Sequence, residues 1–149
     1  MNENIPRWLF ASIGNHFEDT LDSGTVVFIE GFRRRTSDVA SFIEVRMDGP
    51  RILDSLGNET LFGIDVNVLV QCNTKIDSAH TYWSLIGQVG AAFEKSIIAY
   101  KYGSGVEDTD EQLVCLSRDQ GIEIIHYGQL KPELTVQQGT VEARYKGAI

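Results

Sequence analysis

One segment constrains the fold more than any other, the run from residue 59 to residue 72. Every second position is apolar, and these positions are Phe62, Ile64, Val66, Val68, Val70 and Cys72. A period of two predicts a β-strand with one buried face. A strand of this length spans about 45 Å, more than twice the usual length, so we expect it to bend across the domain or to project beyond it. Gly63 is the expected site of a bulge or bend.

Two helices are predicted, one on each side of this strand in the sequence. The first runs from Ile5 to about Leu21, with Pro6 in its first turn, where the missing N–H is not needed. The second runs from Ala79 to about Tyr102. Each helix has one apolar stripe at spacings of three and four residues, which predicts that both pack on a sheet. The stripes are Leu9, Ile13 and Phe17 in the first helix, and Tyr82, Ile86, Val89, Phe93 and Ile97 in the second.

The remaining strands alternate with turn sequences. They are predicted at Thr25–Phe32, Ser41–Asp48, Gln112–Ser117, Ile122–Tyr127 and Thr135–Lys146. Turns are expected at residues 48–50 and 56–58, and the strands on either side of residues 118–121 are expected to form a hairpin. The sequence therefore predicts a single α+β domain. Its sheet is mixed and largely antiparallel with long strands, and its two helices pack on one face.

Composition excludes several classes of function. The chain carries 21 acidic and 13 basic residues, a net charge of −8, which argues against a dedicated nucleic-acid binder. The longest uncharged run is too short to span a membrane, and the N-terminus does not have the pattern of a signal peptide, so we expect a soluble protein made in the cytoplasm. Cys72 and Cys115 are expected to be buried thiols, with no disulfide.

No pattern of catalytic residues emerges. His16, His80 and His126 lie far apart in the sequence, and no nucleophile motif, metal-ligand spacing or phosphate-binding loop accompanies them. His16 is expected on the surface of the first helix. We therefore expect no enzyme activity, no metal and no cofactor.

Opposite charges occur in two separate runs. The basic run is Arg33, Arg34 and Arg35, and the acidic run contains Glu107, Asp108, Asp110 and Glu111. The basic run is either a solvated loop or a surface that meets the acidic run of a second copy. Such a head-to-tail contact closes into a ring when the rotation between copies allows it.

The order and length of these elements resemble a known family. The residues that carry the resemblance are the strand and turn at 43–50, the end of the long strand at 66–70 and the closing strand at 140–145. The sequence is similar to the tail terminator (tail completion) proteins of long-tailed bacteriophages and to related neck proteins. The resemblance implies a structural virion protein, assembled in the host cytoplasm, that forms a hexameric ring in the tail or neck.

The resemblance also implies partners. The ring would cap the tail tube, stop its polymerisation and dock on head–tail connector proteins, while DNA passes through the lumen without specific binding. We expect the segment from Glu59 to Gln71 to contribute to the ring interface, and Leu61, Asp65, Asn67 and Leu69 are the candidate contacts. Two alternatives stay open: another head–tail connector, neck or minor tail protein, and a small-molecule-binding domain with Asp65, Asn67 and His126 as polar groups.

Overall fold

The computed structural model describes residues 3–30, 39–73, 79–101, 111–129 and 136–149. Its elements are α1 (Ile5–Thr20), β1 (Val27–Ile29), β2 (Ser41–Leu56), β3 (Glu59–Asn73), α2 (Ala79–Glu94), β4 (Ile97–Lys101), β5 (Glu111–Arg118), β6 (Glu123–Gln129) and β7 (Val136–Ala148). The predicted α+β fold is confirmed, with two helices and a mixed, mostly antiparallel seven-stranded sheet. Neither helix is long and apolar enough to cross a membrane.

The long strand β3 lies at the centre of the sheet. The strand order is β1-β2-β3-β7-β5-β4, and only β1 and β2 run parallel. Two strands pair with the edge of β7 that faces away from β3. Residues 137–142 pair with β6, and residues 145 and 146 pair with β5. As a result β3 has a neighbouring strand on each side from residue 61 to residue 72.

The predicted apolar positions form one core. The side chains at alternate positions of β3 from Phe62 to Cys72 are at most 1% exposed, and the stripes of both helices belong to the same cluster. Pro6 lies in the first turn of α1, as predicted. Burial of each large apolar side chain contributes about 1.5–3 kcal/mol, so this face of the sheet accounts for much of the folding free energy.

The predicted bounds of α2 and β1 and the predicted pairing of β5 with β6 are wrong. α2 ends at Glu94 instead of Tyr102, because residues 97–101 alternate between buried and exposed positions and pair with β5. β5 and β6 do not form a hairpin with each other. Both strands pair with β7 instead. Between them the Asp119 N–H donates to the Arg144 carbonyl, so the connection from β5 to β6 also runs beside β7. β1 has three residues instead of eight.

β2 continues through the turn expected at residues 48–50. Gly49 has φ of +116°, a conformation that favours glycine, and the Gly49–Pro50 peptide bond is cis. Register shifts between residues 48 and 51 and between 52 and 54 place two irregularities in β2, close to Gly63 on the opposite strand. The turn at residues 57–58 is confirmed, so β2 and β3 form a hairpin of 16 and 15 residues.

Two single-residue expectations also need correction. Cys72 is buried, but Cys115 is exposed because the alternation of β5 turns residues 114 and 116 inward and residue 115 outward. His16 is not a free surface group. Its Nε2–H donates to the Ala92 carbonyl at 2.9 Å and links α1 to α2, and burial lowers its pKa.

Candidate assembly surfaces

The open face of the sheet, opposite the helices, is charged. One cross-strand row joins Asp48, Asp65 and Arg144. The Asp65 carboxylate accepts hydrogen bonds from Arg144 Nε at 2.9 Å and from Arg51 at 2.5 Å. The bond to Asp65 raises the pKa of Arg144 above its ordinary value. Asp65 therefore has two cationic partners within its own protomer.

The next row inward is partly buried. Arg46, Asn67 and Glu142 lie side by side, and Asn67 Nδ2 donates to Glu142 at 2.8 Å. The Asn67 Oδ1 atom is buried and has no hydrogen-bond partner among the described residues. Beyond this row Leu69 is only 7% exposed, so it is not part of a free surface.

A cleft of about 610 Å³ lies over these rows. Five carboxylates and two guanidinium groups line it, together with backbone and small side chains from the loop at residues 120–121. Asp65 and Asn67 border the cleft, whereas His126 does not. The three polar groups of the small-molecule alternative are therefore not brought together, and the lining is much more charged than that of a typical ligand pocket.

Metal-ligating side chains do not converge. In the described part of the chain, no group of three or more His, Cys, Asp or Glu residues has the spacing to hold a metal ion.

The outer half of β2, residues 48–56, is the most exposed part of the sheet. β1 covers β2 only at residues 43–45, so the far edge of this half has no neighbouring strand among the described residues. Ile52 and Leu53 are 57% and 47% exposed there. Of the two expectations for this long strand, projection beyond the domain is wrong, because β7 pairs with β3 almost to its first residue. Among the described residues, the outer half of β2 has a free edge.

A second apolar surface lies beyond the opposite edge of β3, at β6, and we call it the β6 patch. It consists of Trp83 from α2 and of Ile124 and His126 from β6. Trp83 and Ile124 are 51% and 46% exposed, and the rings of Trp83 and His126 are 4.6 Å apart between centroids. Tyr127, the next residue of β6, is also exposed.

A buried tyrosine contacts the β6 patch from the core side. The Tyr82 hydroxyl lies 2.7 Å from His126 Nδ1 and holds the imidazole ring beside Trp83. Gly139 provides the space for this contact, since a Cβ atom there would come within 2.2 Å of the tyrosine oxygen. These contacts fix the position of the His126 ring beside Trp83.

The structure describes five of the eleven residues predicted from the sequence, and these five do not form one surface. Arg33, Arg34, Arg35, Glu107, Asp108 and Asp110 lie outside the described residues. Glu111 begins β5 and pairs with Lys101 at 2.8 Å. Leu61 is half-buried near the tip of the hairpin, opposite Ala148. Only Asp65 and Asn67 lie together, on the charged face.

Sequence reasoning missed the β6 patch and the exposed pair on β2. A signal existed in each case. Trp83 lies off the apolar stripe of α2, and Ile52 and Leu53 are consecutive, so one of the two must point away from any single buried face. Large apolar residues at such positions are candidates for contacts with another molecule.

Comparison with known proteins adds information on the fold. No protein-family profile matches the chain, and no curated protein matches it. Twelve solved chains are similar. One of them, which carries no functional name, has a TM-score of 0.60 and 9% identity over 99% of this chain and 95% of the other. At this identity the similarity concerns the fold alone.

Proposed function

We propose that this chain is a structural subunit that assembles into a ring, and that the ring caps the tail tube of a long-tailed bacteriophage. As a tail terminator it ends polymerisation of the tube and forms the surface that joins the tail to the head. The ring has six copies, the number that the family resemblance implies. The protein acts through its surfaces and not through a catalytic site.

The observation that carries this proposal is the outer half of β2. It leaves two adjacent large apolar side chains, Ile52 and Leu53, on a strand edge with no neighbouring strand among the described residues. Exposed strand edges and apolar pairs favour association with another chain. A net charge of −8 keeps such a subunit soluble before it assembles.

The charge also suits a passage for DNA. A ring of six carries about −48 at −8 per subunit, and acidic groups that face the lumen repel phosphate. The carboxylates of the charged face, including Glu30 and Glu123, are candidates for this lining. Repulsion prevents the passing DNA from binding to the ring.

The direct test has two stages. Native mass spectrometry and negative-stain imaging of the wild-type chain are expected to show a closed ring of six with a central hole. The purified ring is then mixed with uncapped tail tubes and tube monomers. A terminator binds one tube end and stops elongation, whereas a connector that binds elsewhere in the neck leaves elongation unchanged. A monomer at every concentration contradicts the proposal.

A further inference from the structure

We infer that the β6 patch is the surface that receives the outer half of β2 from the next copy of this chain. This inference rests on the proposed ring and specifies its contact. Ile52 of one copy packs against Trp83, Ile124 and His126 of its neighbour. The contact is heterologous, since each copy offers a different surface on each side.

The position of the two surfaces supports this pairing. β2 and β6 lie on opposite sides of a four-stranded antiparallel unit whose order is β2-β3-β7-β6. A contact between opposite sides of the same unit joins copies head to tail. Rotation repeats such a contact from copy to copy until the ring closes.

Strand direction is also compatible. Because the strands alternate across this unit, β2 and β6 run in opposite directions. A rotation that keeps the strands of neighbouring copies roughly aligned brings β2 beside β6 in antiparallel orientation and continues the alternation of the sheet. Pro50 and the two register shifts prevent regular pairing along the whole edge, so side chains carry most of the contact.

The apolar residues lie on matching faces. Ile52 is opposite the buried Phe62, and Ile124 is opposite the buried Val141, so both point to the side of the sheet that holds the helices. Trp83 projects from α2 on that side and contacts His126. Ile52 is level with Phe62 of β3, and Ile124 is level with Val68, six residues further along. Ile52 of one copy therefore meets Ile124 and Trp83 of the other when neighbouring copies are staggered by about 20 Å along the strands.

Charge complementarity accompanies the apolar match. Arg51 precedes Ile52, and Glu123 precedes Ile124; both side chains are exposed. In an antiparallel contact these two side chains lie on the same face, within diagonal reach of one another. Three observations of different kinds thus identify a second copy of the chain as the occupant: the opposite edges, the shared apolar face and the opposite charges.

The test is disulfide trapping. In a Cys115→Ser background, which removes the exposed native thiol, Ile52→Cys and Ile124→Cys are introduced together. Within one protomer the two positions are about 14 Å apart across the sheet, three strand spacings, and about 20 Å apart along the strands, which is too far for a disulfide. Mild oxidation is expected to give a ladder of covalent multimers on a non-reducing gel, ending at the ring size and lost on reduction.

A matched control replaces Ile52→Cys by Ile98→Cys, since Ile98 is an exposed isoleucine on β4, away from both surfaces. This pair is expected to give no ladder. A native ring without a ladder in the Ile52–Ile124 pair overturns the inference and leaves the proposed function standing. A monomer in native mass measurements contradicts the proposed function itself. Covalent dimers from Ile52→Cys alone indicate a symmetric contact and also overturn the inference.

Discussion

β2 and β3 are partners in one hairpin and differ by one residue in length, yet they are buried very differently. β3 is covered on one face and paired on both edges along nearly all of its length. β2 is buried only over residues 42–45, residues 46, 47 and 50 are half-buried, and residues 48, 49 and 51–55 are exposed. Apolar residues in β3 therefore stabilise the fold, whereas apolar residues in the outer half of β2 are not covered by the described residues.

A matched pair of isoleucine truncations tests the difference in burial between β3 and β2. Ile64→Ala in β3 is expected to lower the free energy of unfolding by about 2–5 kcal/mol, because it leaves a cavity in the core. Ile52→Ala in β2 is expected to change it by less than about 0.5 kcal/mol. Urea unfolding of the monomer measures both values. Similar losses in the two variants would show that Ile52 belongs to the core.

A second variant tests how β7 fixes the buried side of the hairpin. Tyr145 lies opposite Ile64, and its hydroxyl donates to the Phe93 carbonyl at 2.7 Å at the end of α2. Burial raises its pKa to about 12. Tyr145→Phe leaves the carbonyl unsatisfied and is expected to cost about 1–3 kcal/mol in urea unfolding. An unchanged stability would mean that this bond does not anchor α2 to β7.

The helix layer that covers β3 should respond to pH. The pKa of His16 is lowered, mainly by burial, so the folded state binds its proton less readily than the unfolded state. This contribution to stability is complete above the unfolded pKa of about 6.5 and is lost as the pH falls below it. The urea midpoint should decrease between about pH 7.5 and 5.5. His16→Gln should remove that component, and His80→Gln, at an exposed position, should not.

The smallest expected effect is spectroscopic. Trp83 is half exposed in the protomer, so its emission should shift to shorter wavelength and its quenching by acrylamide should decrease when the ring forms. A Trp8→Phe background isolates this signal. An assembled ring in which Trp83 is quenched as strongly as in the monomer would place the β6 patch outside the contact.

Local patterning predicts the parts of this fold that have one buried face. The alternation from Phe62 to Cys72 and the helical stripes through Phe17 and Val89 each match the observed burial. β4 was missed because Ile97 continues the spacing of the α2 stripe, while pairing with β5, distant in sequence, decides its conformation. The partners of β5 and β6 were missed for the same reason.

The candidate surfaces were harder to predict from the sequence than the fold. Strand parity correctly placed Asp65 and Asn67 on a polar face, but it could not show that Leu69 on the same face is buried. The β6 patch joins residue 83 to residues 124 and 126 through tertiary packing. A surface of this kind depends on which elements are adjacent, and no local periodicity contains that information.

The central claim is that the outer half of β2 is an assembly surface, and native mass spectrometry of two charged variants tests it most directly. Ile52→Glu is compared with Ile98→Glu, an equal change at another exposed isoleucine, at one concentration at which the wild type is assembled. We expect monomers for Ile52→Glu and intact rings for Ile98→Glu. Rings of unchanged mass from folded Ile52→Glu would contradict this claim.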